Sequence, residues 1–458
     1  MRFALNEPSD LETDGFTKSD IFDYHEFGEG LANLVSSIGG PLVIALDGRW
    51  GSGKSVFIRQ WAGLMRSSRD ASVVYFDAFT NDFHDDAFLV LASKIYSLAK
   101  KKLGENDTRT KKFLNEAKKA GKVLASRGSD IVLRIGTSGA VNLTDIEAVV
   151  KALGNEPEKI ISEKLRKLDD EQASLEAFRD SLINLSEFIT EKKQGTGKKQ
   201  GTGKSPPLIF IVDELDRCRP PFSLDIIERI KHLFSVENVC FVLVTNLSQL
   251  EATIKNTYGM ETDARTYLKK FYHHRIELPK LKDEGQKRNK YLTYLWKNLK
   301  PDFGDAGRNR RVREEILRLA NVYELSLREI EHVLRNVVLA AAATKENHLF
   351  IPPVVAGLCI MRLKDMDLYK RARENKLSWE KVEPFLRISG GADDKSMRHR
   401  EYVTNWWRCF VDPNVYNEKN LQLYLMELDK HLLLGSRLSS LHIFTDLIDN
   451  FAGHYTPE

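Results

Sequence analysis

A chain of 458 residues exceeds one ordinary domain, so its length predicts a large core domain with insertions, or roughly two to three domains. A hydrophobic fraction of 42% beside a charged fraction of 29% excludes a disordered chain. A net charge of +4 excludes nucleic-acid binding by bulk electrostatics unless the charge concentrates locally.

The N-terminus, MRFALNEPSDLETDG, is acidic and polar, without a basic start before an apolar stretch, which predicts no signal peptide. Helical periodicity runs over residues 20–37, and the apolar run Leu42-Val43-Ile44-Ala45-Leu46 then predicts a buried parallel strand. A glycine-rich turn and an amphipathic helix follow. Val73-Val74-Tyr75-Phe76 is a second strand candidate. Residues 84–193 form a long helical excursion rich in Lys, Glu and Leu, read as an insertion. Within it, residues 100–122 carry many lysines beside Glu105, Asp107 and Glu116, which predicts a solvated basic helix face. No apolar stretch reaches membrane-spanning length. Arg134, Asp145, Glu147 and Lys151 interrupt the most apolar zones, 131–136 and 146–153.

The excursion ends in the tandem repeat KKQGTGKKQGTGKSPP, which can bury nothing and predicts a mobile linker over 192–205. Leu208-Ile209-Phe210-Ile211-Val212 and Val239-Cys240-Phe241-Val242-Leu243-Val244 are the third and fourth strand candidates. After Pro279 the pattern is again helical, most strongly over 314–319 and 327–343. Cys218, Cys240, Cys359 and Cys409 lie far apart with no metal-ligand spacing, which suits a reducing cytoplasm. The expected fold is α/β, a parallel sheet covered by helices, with a helical insertion and a helical C-terminal region. The expected organisation is 1–83 and 207–280 as two parts of the core, 84–206 as the insertion and linker, and 281–458 as the C-terminal region.

Gly48-Arg49-Trp50-Gly51-Ser52-Gly53-Lys54-Ser55 fits the spacing G-x-x-x-x-G-K-[ST], with a strand before it and a helix after it. Gly48, Gly51 and Gly53 let the backbone turn tightly, so that N–H groups, including that of Ser52, face phosphate oxygens at the positive end of the following helix. Lys54 supplies charge to the β- and γ-phosphates and Ser55 a hydroxyl to Mg²⁺, making ATP and Mg²⁺ the expected ligands. Gly201-Thr202-Gly203-Lys204-Ser205 looks similar, but Lys198 replaces the first glycine and Pro206-Pro207 blocks a following helix, so it reads as linker.

Such a site needs an acid at the end of a neighbouring strand, and Asp213 stands there as the Mg²⁺-side residue. Glu214 can polarise an attacking water. Asp216, Arg217 and Arg219 follow, and Arg217 has two readings: neutralising charge on the transferred phosphoryl group, or an intramolecular salt bridge. Asn246 likewise either senses the γ-phosphate or caps a helix expected to begin at Ser248. Cys409 and His399 make no credible catalytic pair.

These segments resemble the KAP family of P-loop NTPases. The family pattern G-x-W-G-x-G-K-S is seen at 48–55, with Trp50 its distinguishing residue, and D-D-L-D-R-C is similar to Asp213-Glu214-Leu215-Asp216-Arg217-Cys218. Phe76-Asp77-Ala78-Phe79 resembles F-N-A-W with Asp and Phe as departures. Tyr258-Gly259, Tyr267-Leu268-Lys269-Lys270-Phe271 and Leu278-Pro279 resemble the closing segment. Ser326-Leu327-Arg328-Glu329 resembles the position of a nucleotide-sensing arginine, although a core arginine at a helix end is the reading that the residues favour. Many family members carry paired transmembrane helices, and this chain departs from that. The resemblance implies an additional-strand ATPase with a catalytic glutamate. In bacteria it implies a role in phage exclusion, with ATP turnover controlling a protein effector or self-association. A nucleotide-binding scaffold without turnover and a nucleic-acid motor are the alternatives.

Overall fold

A computed structural model describes residues 11–17, 20–126, 157–190, 207–279, 283–344, 350–388, 394–431 and 441–450. The Gly/Lys/Thr repeat of 192–205, its motif-like end at 201–205, and the apolar zones 131–136 and 146–153 lie outside them. The chain forms two compact units, Pro8–Pro279 and Lys280–Glu458. No described helix is long and apolar enough to cross a membrane. All four cysteines are buried, and none is in a disulfide among the described residues.

The first unit is built on β1 (Leu42–Asp47), β2 (Val73–Asp77), β3 (Leu208–Asp213), β4 (Val239–Thr245) and β5 (His274–Glu277). They form one sheet in the order β2-β3-β4-β1-β5, and every pairing is parallel. The α/β reading holds. Strands β1, β3 and β4 are buried at every residue because their apolar runs lie in the middle of a sheet covered on both faces. Strand β4 lies between β1 and β3, with Asp47 in register with Thr245 and, on the far side of β3, Asp77 with Asp213. Parallel strands bring the carboxyl ends of β1, β3 and β4 to one rim, where α/β sheets receive ligands.

Strand β5 was not visible in the sequence. It is an edge strand exposed at His274, Arg275 and Glu277, so it shows no apolar run. Its docking uses a side chain as well as the backbone: the His273 amide donates to Val43 O at 2.8 Å, and the Val43 amide donates to His273 Nδ1 at 2.9 Å. The first long helix begins at His25, later than the periodicity suggested, because both carboxylate oxygens of Asp20 accept from the amides of Tyr24 and His25 at 2.9 Å.

The helices Ala87–Leu103, Thr108–Ser126 and Pro157–Thr190 are continuous with the core of the sheet. Phe178 packs against Phe88 at 4.9 Å and Phe234 at 5.4 Å, and Phe234 reaches Phe241 on β4 at 6.4 Å. The Ser72 hydroxyl, just before β2, donates to Ile189 O at 3.0 Å. The lysine-rich face is partly paired: Lys100 with Glu105 at 2.7 Å and Lys119 with Glu116 at 2.9 Å. Lys102 donates to Ser72 Oγ at 2.6 Å. The opposite face of the sheet is covered by the helix Lys54–Arg69, whose buried Trp61 indole donates to Gly28 O of the helix His25–Ser37 at 3.1 Å.

The second unit is helical throughout its described residues, from Glu284–Leu299 to Leu441–Asn450, around one apolar core. Several of its helix starts are capped: Asp283, Asp305 and Ser326 accept from backbone amides, and Ser326 with Glu329 forms a reciprocal box. Inside it, fully buried Glu315 pairs with Arg318 at 2.7 Å and lies 3.1 Å from His399 Nε2. Burial pushes the Glu315 carboxyl up, but Arg318 and His399 more than offset it, leaving it below the usual carboxylate range.

A carboxyl lowered in the folded state contributes stability that is present above its unfolded pKa of about 4.3 and lost as pH falls through the lowered value. Glu315→Gln should therefore cost about 1–3 kcal/mol at neutral pH, leaving Arg318 buried and incompletely paired. It should also flatten the acid limb of the stability curve. Urea unfolding at several pH values checks both; equal stability of mutant and parent at pH 7 contradicts the assignment.

Candidate functional site

The turn after β1 is shaped by glycine where side chains would fail. Gly51 and Gly53 have φ of 73° and 97°, in the left-handed region that costs other residues strain. A Cβ on Gly48 would sit 3.2 Å from Ser52 Oγ and 3.4 Å from Lys54 Cδ. The Gly48 amide donates to Thr245 O at 3.2 Å, tying the loop to the end of β4. Gly53 is the N-cap of the helix Lys54–Arg69, so Lys54 and Ser55 lie in its first turn, at the positive end of its dipole.

Lys54 is 9% exposed, and its ammonium donates to Gly48 O and, at 3.1 Å, to Arg49 O. Burial lowers its pKa, while Asp216, Asp213, Asp47 and Glu214 act in the opposite direction. The loop thus closes on its own lysine, surrounded by carboxylates from β1 and from the turn after β3.

Asp213 ends β3 and is 2% exposed. Burial raises its pKa, opposed by hydrogen bonds from Tyr75, Ser55 and the Glu214 amide. The Tyr75 hydroxyl donates to Asp213 Oδ2 at 2.7 Å and the Glu214 amide to Oδ1 at 2.8 Å. The Ser55 hydroxyl, 3.5 Å from Glu214 Oε1, stands between both acids. Glu214 itself has φ of 60°, a left-handed conformation unusual for a non-glycine.

The remaining turn residues are engaged. Arg217 Nε pairs with Glu214 Oε2, the intramolecular salt bridge that was one of its two readings. Asp216 accepts from the indole of Trp50, joining the phosphate loop to the acidic turn. Arg219 is held by the turn after β2: its amide donates to Asp82 Oδ2 at 3.0 Å and its Nε to Asp82 O at 2.8 Å. Burial pushes the Cys218 thiol well above its usual range, so it stays protonated.

Asn246 occupies the N-cap of a helix that starts at Leu247 rather than Ser248, yet its side chain makes no capping bond. Asp47 does that work from β1, accepting from the Leu247 amide at 2.8 Å while pairing with Arg275 of β5 at 2.7 Å. The preceding residue, Thr245, is fully buried at the same rim. Arg328, in the second unit, is exposed near the start of the helix Leu327–Ala343, so it is not a core arginine.

Three residues of this site went unnoticed in the sequence: Tyr75, read only as part of a strand, and Asp47 and Thr245, which follow the first and fourth apolar runs. None has a local signal, since their positions depend on which strands become neighbours. Among the described residues, the buried hydroxyls of Ser52 and Thr245 have no hydrogen-bond partner, and both lie on the loop or its anchor. Unpartnered hydroxyls, a loop crowded around Gly48, a helix N-terminus and a buried lysine together fit the oxygens of a phosphate chain. A hydroxyl beside a carboxylate fits Mg²⁺, which takes oxygen ligands and keeps several waters.

The profile of the KAP family P-loop domain matches residues 24–343. Curated proteins give no match. Among solved structures, the chain is similar to the Aeropyrum pernix ORC2 protein in ADPNP–ADP complexes, at 13% identity and a TM-score of 0.32, with 98% of each chain covered.

Proposed function

Because the chain belongs to the KAP family of P-loop NTPases, we propose that it binds ATP with Mg²⁺ on the loop 48–55 and hydrolyses it as an additional-strand ATPase. One observation carries the reading: the Ser55 hydroxyl stands between the Asp213 and Glu214 carboxylates at the foot of the phosphate loop. Gly48, Gly51, Ser52 and Gly53 would cradle the phosphates, and Lys54 would exchange the loop carbonyls for phosphate oxygens. Ser55 and Asp213 would hold Mg²⁺, which when bound offsets charge on the phosphates.

Glu214 accepts the proton of a water whose oxygen attacks the γ-phosphorus. The bond to the bridging oxygen breaks, and ADP and inorganic phosphate leave. Arg217 acts through its pairing with Glu214; neutralising the transferred phosphoryl group is the second role open to it. Asn246, at the end of β4, keeps the proposed role of γ-phosphate sensor, with Thr245 beside it.

The biological reading is a regulatory switch in bacterial phage exclusion, acting in the cytoplasm on a protein effector or on further copies of the chain. It rests on the similarity of 213–218 to the family's D-D-L-D-R-C pattern. Lysines partly engaged with Glu105, Glu116 and Ser72 make a nucleic-acid motor the weaker alternative. Plating efficiency of phages on cells expressing the protein tests the role. Protection that vanishes in Lys54→Ala supports it, and no protection from any phage in a broad panel, with neighbouring genes co-expressed, overturns it.

A further inference from the structure

We propose that Tyr75, backed by Arg59, is the positioning residue that orients the Asp213 carboxylate toward the divalent cation; this rests on reading Asp213 as the metal-side acid. Tyr75 lies on β2, a strand that contributes nothing to the phosphate loop. Its phenol nonetheless donates to Asp213 Oδ2 at 2.7 Å, while Oδ1 accepts from the Glu214 amide at 2.8 Å. With each oxygen held by a different donor, the plane of the carboxylate is fixed, and with Ser55 as a third donor one of its four lone pairs stays open.

The ring is fixed in turn from the other side of the site. The Arg59 guanidinium carbon lies 4.9 Å from the centroid of the Tyr75 ring, and Arg59 also hydrogen-bonds the Tyr75 side chain. Arg59 follows Ser55 by one helical turn, so both project from one face of the helix Lys54–Arg69. That helix therefore meets Asp213 twice, directly through Ser55 and indirectly through Arg59 and Tyr75. A phenylalanine would fill the same space on β2. The hydroxyl adds an orienting donor to a buried acid, as outer partners of metal-ligating carboxylates do.

The test uses the full chain and measures ATP affinity by calorimetry, first in EDTA and then at rising MgCl₂. In the parent, affinity rises with Mg²⁺. Tyr75→Phe keeps the ring and its stacking against Arg59 and removes only the hydroxyl with its hydrogen bonds, so affinity in EDTA should match the parent. The Mg²⁺ concentration giving half the gain should rise ~10-fold or more, the scale seen when such outer partners are removed. Arg59→Gln, which leaves the phenol, should shift the same midpoint in the same direction by a smaller factor. A loss that is merely structural would weaken binding equally with and without Mg²⁺, and that result overturns the proposal. So does an unchanged Mg²⁺ midpoint in Tyr75→Phe or, should that variant not fold, in Arg59→Gln. A parent affinity indifferent to Mg²⁺ instead sinks the metal reading of Asp213, and this inference with it.

Discussion

Replacing Lys54 with alanine should abolish ATP binding at ordinary concentrations and reduce turnover to background. The ammonium is buried among Asp47, Asp213, Glu214 and Asp216, so a triphosphate placed there without it would meet uncompensated negative charge. A hydrogen bond to a charged group contributes about 1.5–3 kcal/mol, and alanine forfeits more than one. Affinity should therefore fall by ~10²-fold or more. Calorimetry against ATP checks this, with thermal unfolding confirming that the variant is folded. A folded Lys54→Ala that binds ATP within a factor of three of the parent would mean that nucleotide sits elsewhere.

Glu214→Gln should separate chemistry from binding. Glutamine keeps the length and one oxygen of the side chain but cannot take a proton, so ATP should bind as in the parent while hydrolysis falls ~10²-fold or more. The variant also loses the charge that holds Arg217, leaving that guanidinium free to turn toward phosphate, which favours retained or tighter binding. Single-turnover phosphate release with measured nucleotide occupancy distinguishes the two effects. Hydrolysis at the parental rate would move the proton acceptor elsewhere, with Asp216 as the next candidate.

The parts of this site legible in the sequence are those whose spacing is local. The glycines, Lys54 and Ser55 lie within one turn and one helix start, and the apolar runs ending at Asp47, Asp213 and Thr245 announce buried strands. The contacts that complete the site join residues remote in sequence. Tyr75 reaches Asp213 across 138 residues, Trp50 reaches Asp216 across 166, and Asp47 caps Leu247 across 200. Each depends on strand order, which apolar runs alone do not specify. Asn246 illustrates the same limit for its capping reading: the helix after β4 is capped by Asp47 of β1, not by the Asn246 side chain. Strand β5 escaped because an edge strand exposed at most positions has no hydrophobic period to read. The helices between β2 and β3 were legible as helices, but nothing in their composition showed that Phe178 would complete the core of the sheet.

The central claim is that this chain turns over ATP at the loop 48–55 rather than merely binding it. Release of inorganic phosphate by the purified parent protein, followed with ATP in the presence and absence of Mg²⁺ alongside equilibrium binding on the same sample, tests it most directly. The account predicts binding together with steady phosphate release that requires Mg²⁺ and disappears in Glu214→Gln. Saturable ATP binding with no phosphate release, with or without Mg²⁺ and with or without candidate partners, would contradict it and make the protein a nucleotide-dependent scaffold.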